Sequence, residues 1–161
     1  MNELILEGGA HATDVESVNA IIKAMYESVS FSPGEQPNYK RLQSLYHPQA
    51  IIVPSKSGHD AAVVIQNVES FVNQSRGYVI STGLEREGFY EREIARRTAS
   101  FGSIVHVFST YESSHKPGDP APFQRGVNSI QLVKDAKRWW ILSIVWDVER
   151  AGNPLPPEYL Q

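Results

Sequence analysis

The spacing of apolar positions along this chain changes character near its middle. Up to Ser81 they recur mainly three and four residues apart, and from Phe89 to Glu149 they alternate two apart. The first run, Val15, Val18, Ile22, Met25, Tyr26 and Val29, predicts a helix of about 17 residues beginning near Asp14 with one buried stripe. Thr13 with Glu16 three residues later fits a capping box, in which hydroxyl and carboxylate serve free backbone N–H groups reciprocally. Pro33-Gly34 and Pro37 end that helix in a polar loop. Asn38 then caps a shorter helix, Tyr39–Tyr46, stopped at His47-Pro48 because the residue before a proline is pushed out of α space. On that reading His47 marks a helix end and is no ligand. The apolar runs Ala50–Val53 and Ala62–Ile65, around the polar loop Pro54–Ala61, predict a hairpin. Asn67 is placed to cap a third helix packed through Val68, Phe71, Val72 and Ser75, with Gly77 and Ser81-Thr82-Gly83 breaking it.

The alternating half predicts four long strands in two hairpins. Phe89–Ala99 and Ser103–Ser113 flank Ala99-Ser100-Phe101-Gly102. A turn centred on Ser100-Phe101 places His106, Phe108 and Thr110 on one face with Glu91, Glu93 and Arg97, and Val105, Val107 and Tyr111 on the other. Gln124–Val133 and Arg138–Glu149 flank Lys134–Lys137. A turn centred on Asp135-Ala136 sets Leu132 opposite Trp139 and Asn128 opposite Ser143. One face then carries Asn128, Ile130 and Leu132 with Trp139, Ile141, Ser143, Val145 and Asp147; the other carries Arg125 and Ser129 with Trp140, Leu142, Ile144 and Trp146. The first, with polar groups set among apolar ones, has the make-up of a small-molecule pocket. The second is a face for another sheet or subunit to cover. The pattern also admits the reverse assignment, because both parities of the last strand are apolar. Helices gathered N-terminally ahead of a largely antiparallel sheet predict an α+β fold in one domain, residues 1–161, with a core over about 14–149 and a proline-rich tail over 150–161.

Composition adds exclusions. The content of 41% hydrophobic and 20% charged residues is that of a globular protein, and a net charge of -3 with no basic stripe argues against nucleic acid. The absence of cysteine excludes disulfides, thiolate chemistry and Cys-based zinc sites. His59-Asp60 in a polar loop offers too few ligands for a metal, and no motif calls for a cofactor. No apolar run approaches the roughly 18 residues of a membrane span, and the acidic start MNELILEGG lacks a basic n-region, which together predict a cytoplasmic protein away from the membrane.

The ending RGVNSIQLVKDAKRWWILSIVWDVE, after FYEREIARRTASFGSIVHVFSTYES, resembles the nuclear transport factor 2-like, or SnoaL-like, superfamily, and more narrowly an uncharacterised bacterial branch of it. The resemblance spans about Asp14 to Glu149. It implies a cone: a strongly curved, mostly antiparallel sheet of cystatin-like form, closed by three N-terminal helices, with a pocket inside and commonly a homodimer through the outer sheet face. It implies that the first and third positions of Trp139-Trp140-Ile141 face the cone interior. Enzymes of the superfamily, among them isomerases, cyclases and dehydratases, place an acid or a histidine in the pocket beside a Tyr or Asn. No signature ties this chain to one of those activities, and its candidate residues come from facing and chemistry alone.

The candidates are Asp147 and His106 as proton carriers, with Tyr26, Asn128 and Ser143 holding a ligand. Two functions follow from them: acid–base catalysis on a small, mostly apolar carbonyl or cyclic compound, or a dimeric ligand-binding or accessory role without chemistry. The uncovered face Trp140, Leu142, Ile144 and Trp146 predicts a symmetric homodimer meeting through that patch.

Overall fold

The computed structural model describes residues 11–56, 58 and 60–161. A 3-10 turn, Ala12–Val15, precedes helix α1, Val18–Val29. The expected single helix from Asp14 is thus divided: Ser17, in extended backbone, is the actual cap, its Oγ accepting from the Ala20 N–H at 3.1 Å. Of the predicted stripe, Val15, Ile22, Met25 and Tyr26 are buried and Val18 and Val29 are half-buried against the core, while Ile21, outside the stripe, is buried as well. Helix α2, Tyr39–Leu45, begins at Asn38, and α3, Val68–Ser81, begins at Asn67, each amide oxygen accepting from the N–H three residues on. Helix α3 runs through Gly77, whose position opens onto empty space, and a single turn, α4, Leu84–Glu87, follows it.

Five strands form one curved, open sheet: β1 (Tyr46–Val53), β2 (Tyr90–Phe101), β3 (Ile104–Ser114), β4 (Gln124–Lys134) and β5 (Trp139–Val148), in the order β1-β5-β4-β3-β2. All neighbours are antiparallel except β1 and β5. The early hairpin does not form. Residues 47–53, His47 among them, enter the sheet beside β5, while Ala62–Ile65 stays outside it, with Val63, Val64 and Ile65 exposed and a lone bridge between Ile52 and Gln66. His59 lies outside the described residues.

Two bulges decide which side chains face inward. Near its turn the β4–β5 hairpin pairs Leu132 with Ile141 and Lys134 with Trp139, a slip of two from the expected register that leaves the faces unchanged. Leu142 is then an extra residue, and beyond it Gln131 pairs with Ser143, Ile130 with Ile144 and Asn128 with Trp146. One inserted residue reverses the alternation of everything after it. Ile144 and Trp146 therefore face the core, and Ser143, Val145 and Asp147 face out, the opposite of the expectation for that half of the strand. The β2–β3 hairpin repeats the device. Phe101 pairs with Ile104 around Gly102-Ser103, but Ile94 is extra, so Glu93 pairs with Tyr111 and Glu91 with Ser113. Both glutamates turn to the inner face, away from His106.

The core lies between α1, α2 and the inner face, around Ile21, Leu45, Ile52, Val107, Ile130 and Ile141. Part of the outer face is covered by the tail. The Tyr159 ring lies 5.1 Å from Phe108, Arg97 stacks over it, and Thr110 donates to the Tyr159 carbonyl at 2.6 Å.

Candidate functional site

A cavity of about 820 Å³ opens between the inner sheet face and helices α1 and α3. Many of its lining residues carry rings. Phe31, Phe89, Phe123 and His115 form a continuous series with centroid separations of 6.2, 6.1 and 4.6 Å, and Phe71 meets Trp146 edge-on at 5.9 Å. The sheet sets these positions: Phe89 and Glu91 share the inner face of the β2 segment one pleat apart, with Tyr111 and Ser113 opposite on β3 and Asn128 on β4. Gly88 makes the entry to β2 possible. It has φ +82, and a side chain there would meet Pro33 and the His115 carbonyl at 2.9 Å.

Glu91 is the carboxyl in the wall of this cavity, with Glu87 and His115 at its rim. Its carboxyl accepts from Ser113 Oγ at 3.1 Å, and its backbone N–H donates to Ser30 Oγ at 3.0 Å. Its side chain is half-buried, and it lines the main cavity and also a second one of about 550 Å³ between α1 and β2. Desolvation outweighs the single serine hydrogen bond and pushes its pKa from 4.5 to about 7. The same burial, together with the charge of ionised Glu91, raises the phenols of Tyr26, Tyr46 and Tyr111, so all three remain protonated donors.

Behind Asn128 runs a directed hydrogen-bond chain. Asn128 Nδ2 donates to Tyr26 Oη at 3.0 Å, and Ser109 Oγ donates to Glu93, so the Tyr26 hydroxyl, 2.7 Å from Ser109 Oγ, gives its proton to the serine. Glu93 ends the chain, paired with Arg96 at 2.8 Å. Tyr26 is thus engaged on both sides and positions Asn128. Asn128 and the Tyr111 ring reach the main cavity, and among the described residues no side-chain partner occupies the Tyr111 hydroxyl.

The remaining candidates stand elsewhere. Asp147 is on the outer face with its side chain 54% exposed, and the Arg150 guanidinium 2.7 Å away holds its carboxyl below the usual carboxylate range. His106 is also on the outer face, its Nε2 3.0 Å from Ser129 Oγ. Ser143 is half-buried there beside Ile51 and Gln131. The expectation that Asp147, Ser143 and His106 share the pocket with Asn128 is corrected on the Leu142 bulge for the first two. For His106 the reason is that β3 alternates unbroken and turns its even-numbered residues outward. The structure brings together Tyr26 and Asn128. Sequence reading missed Glu91 as a pocket residue because nothing in Ile94 announces a bulge, and Tyr111 because it shares its face with Val105 and Val107 and reads as one more core position. Among the described residues no three His, Asp or Glu side chains converge on a point where a metal would sit, and no described helix is long and apolar enough to cross a membrane.

No family model matches the chain, and no curated protein matches it. Solved structures do. The chain is similar to an NTF2-like protein of unknown function from Shewanella baltica OS155, with 11% identity over 81% of this chain and 89% of that one at a TM-score of 0.55. It is similar to a protein of unknown function with a cystatin-like fold from Nostoc punctiforme PCC 73102, with 7% identity over 85% and 96% at 0.60. A protein from Novosphingobium aromaticivorans DSM 12444 assigned as a scytalone dehydratase matches at 14% identity over 70% and 71%, with a TM-score of 0.50. At these identities the likeness is one of fold.

Proposed function

From a chain that has the nuclear transport factor 2-like fold, we propose a small-molecule enzyme working by proton transfer at Glu91, on a mostly apolar carbonyl or cyclic compound held in the cone. The observation that carries this reading is the Glu91 carboxyl set in the wall of a ring-lined cavity with a single serine hydrogen bond, where desolvation pushes its pKa up to about 7. A group poised near neutrality exchanges protons in both directions. Glu91 takes the part expected of Asp147 and His106. In this mechanism ionised Glu91 removes a proton from carbon beside the ligand carbonyl. Negative charge gathers on the carbonyl oxygen, where the Tyr111 O–H donates to it, and protonated Glu91 then returns the proton at the same or a neighbouring carbon. Asn128, steadied by Tyr26, fixes the ligand's orientation.

The test uses 2-indanone, a flat apolar ketone with acidic α-hydrogens, in deuterated buffer at pH 7.5. Glu91 is expected to speed α-deuteration, and Glu91→Gln to lower the protein-dependent rate by about 10²- to 10⁴-fold, the range typical of a general base. Carbon-detected titration of the side chain is expected to place Glu91 near 7. A Glu91 carboxyl titrating near 4.5 would overturn the mechanism.

The outer sheet face supports a homodimer as the working assembly, through a patch different from the one first expected. Ile51, Leu142 and Val145 are exposed there beside Trp140, whereas Ile144 and Trp146 belong to the cavity. A non-catalytic binding protein would use the same patch and the same cavity, and it differs in leaving Glu91 without proton exchange to carbon.

A further inference from the structure

The charge of the cavity lining is one-sided. Glu91 stands in its wall and Glu87 at its rim, while among the described lining residues there is no Lys or Arg. The rim histidine, His115, is committed: its Nδ1 donates to the Gly88 carbonyl at 3.0 Å, and its Nε2 lies 3.6 Å from Glu87. Among the described residues Glu91 itself has one side-chain hydrogen-bond donor, Ser113, and no cation paired with it; Lys23, Arg92 and Arg96, which line the smaller cavity with it, are paired with Glu27, Glu112 and Glu93. The rest of the lining is uncharged, and many of its residues carry rings, among them Phe31, Phe71, Phe89, Phe123 and Trp146, whose π-faces are electron-rich and attract a cation brought against them.

We infer that the ligand of this cavity carries a basic nitrogen and binds as a protonated amine, its ammonium placed against Glu91 and the surrounding rings, and that carboxylates and phosphates are excluded. This rests on the reading of the cone as a small-molecule site and adds the charge class of its occupant. The proton balance is internal. An amine entering uncharged takes the Glu91 proton to become ammonium, and an ammonium entering from solvent meets a carboxylate already ionised. Either way one proton is shared by the pair and no further reactant is consumed. The ammonium supplies the counter-charge that the protein itself does not place at Glu91. A carboxylate or phosphate would meet two like charges and no guanidinium or ammonium, a juxtaposition that specific sites use to reject the wrong ligand.

Three probes with one skeleton separate the possibilities: 2-aminoindane as cation, 2-indanol as neutral isostere and indane-2-carboxylate as anion. Each is titrated into the full chain at pH 7.5 and followed by calorimetry and by backbone amide shifts of β2 and β3. The expected result is 2-aminoindane at least about tenfold tighter than 2-indanol, with no saturable binding of the carboxylate. In Glu91→Gln that tenfold preference collapses. The comparison of probes on the unaltered chain stands even if the variant folds poorly. Binding of 2-indanol or the carboxylate as tight as the amine overturns the charge assignment and leaves the small-molecule reading intact. An amine preference that survives Glu91→Gln also overturns it. Failure of all three to bind overturns both readings together.

Discussion

At Glu91 the protein holds a carboxyl under conditions that ordinarily keep it neutral, and this has a consequence for stability. The folded chain binds its proton more tightly than the unfolded chain does, with a pKa of about 7 against 4.5. Stability from this group is therefore full below pH 4.5, falls as pH rises towards 7, and stays reduced above it, by about 3 kcal/mol at most. Glu91→Gln keeps an acceptor for Ser113 and removes the titration. It is expected to stabilise the chain at pH 8 by about 1–3 kcal/mol and to change little at pH 4.5. Urea unfolding at the two pH values measures this, and an equal shift at both would show that the effect is packing and not protonation. Asp147 behaves in the opposite sense, since the Arg150 pair lowers its pKa, but its exposure leaves that pair screened by solvent.

Among the elements, β4 shows how closely the hairpin is drawn together. A Cβ at Gly126 would stand 2.5 Å from the Asp147 carbonyl and 2.7 Å from Tyr111 Oη. The first neighbour is backbone and can yield only if β5 moves. Gly126→Ala is expected to cost about 1–3 kcal/mol, as overpacking does, and to displace the Tyr111 ring in the cavity. Chemical denaturation gives the first quantity, and the 2-indanone exchange rate reports the second. An unchanged midpoint together with an unchanged rate would mean that the strands part freely at this point. The helices were largely legible beforehand, because Asn38 and Asn67 announce their caps chemically and the buried stripe of α1 follows helical spacing. The first cap was misplaced by competition: Thr13 and Ser17 are both good candidates, and the 3-10 turn uses up the residues between them.

For the whole molecule, the outer patch of Ile51, Leu142 and Val145 predicts a dimer that one charge will break. Val145→Lys is expected to give a folded monomer by sedimentation, with its circular dichroism unchanged. Trp146→Glu is expected to damage the fold instead, because Trp146 packs on Phe71 inside the cavity. A monomeric unaltered chain at micromolar concentration would remove the dimer. A dimer that persists in Val145→Lys would move the interface elsewhere.

Hydrophobic spacing and caps by themselves determined the fold class, the three main helices and the long strands of the second half, because local periodicity and turn chemistry act within a few residues. The parallel place of β1 beside β5 was not determined in that way, since Ala50–Val53 reads equally well as one arm of a local hairpin. Nor was the inner face of β5. Trp139, Ile141 and Val145 alternate with Trp140, Leu142, Ile144 and Trp146, so both parities are apolar and the pattern has no preferred side. Only the tertiary structure chose, by inserting Leu142 and Ile94 as single unpaired residues where the curved sheet bends. A bulge turns every later side chain to the opposite face and leaves no mark in the residue that forms it. Those two residues put Asp147 into solvent and Glu91 into the cavity.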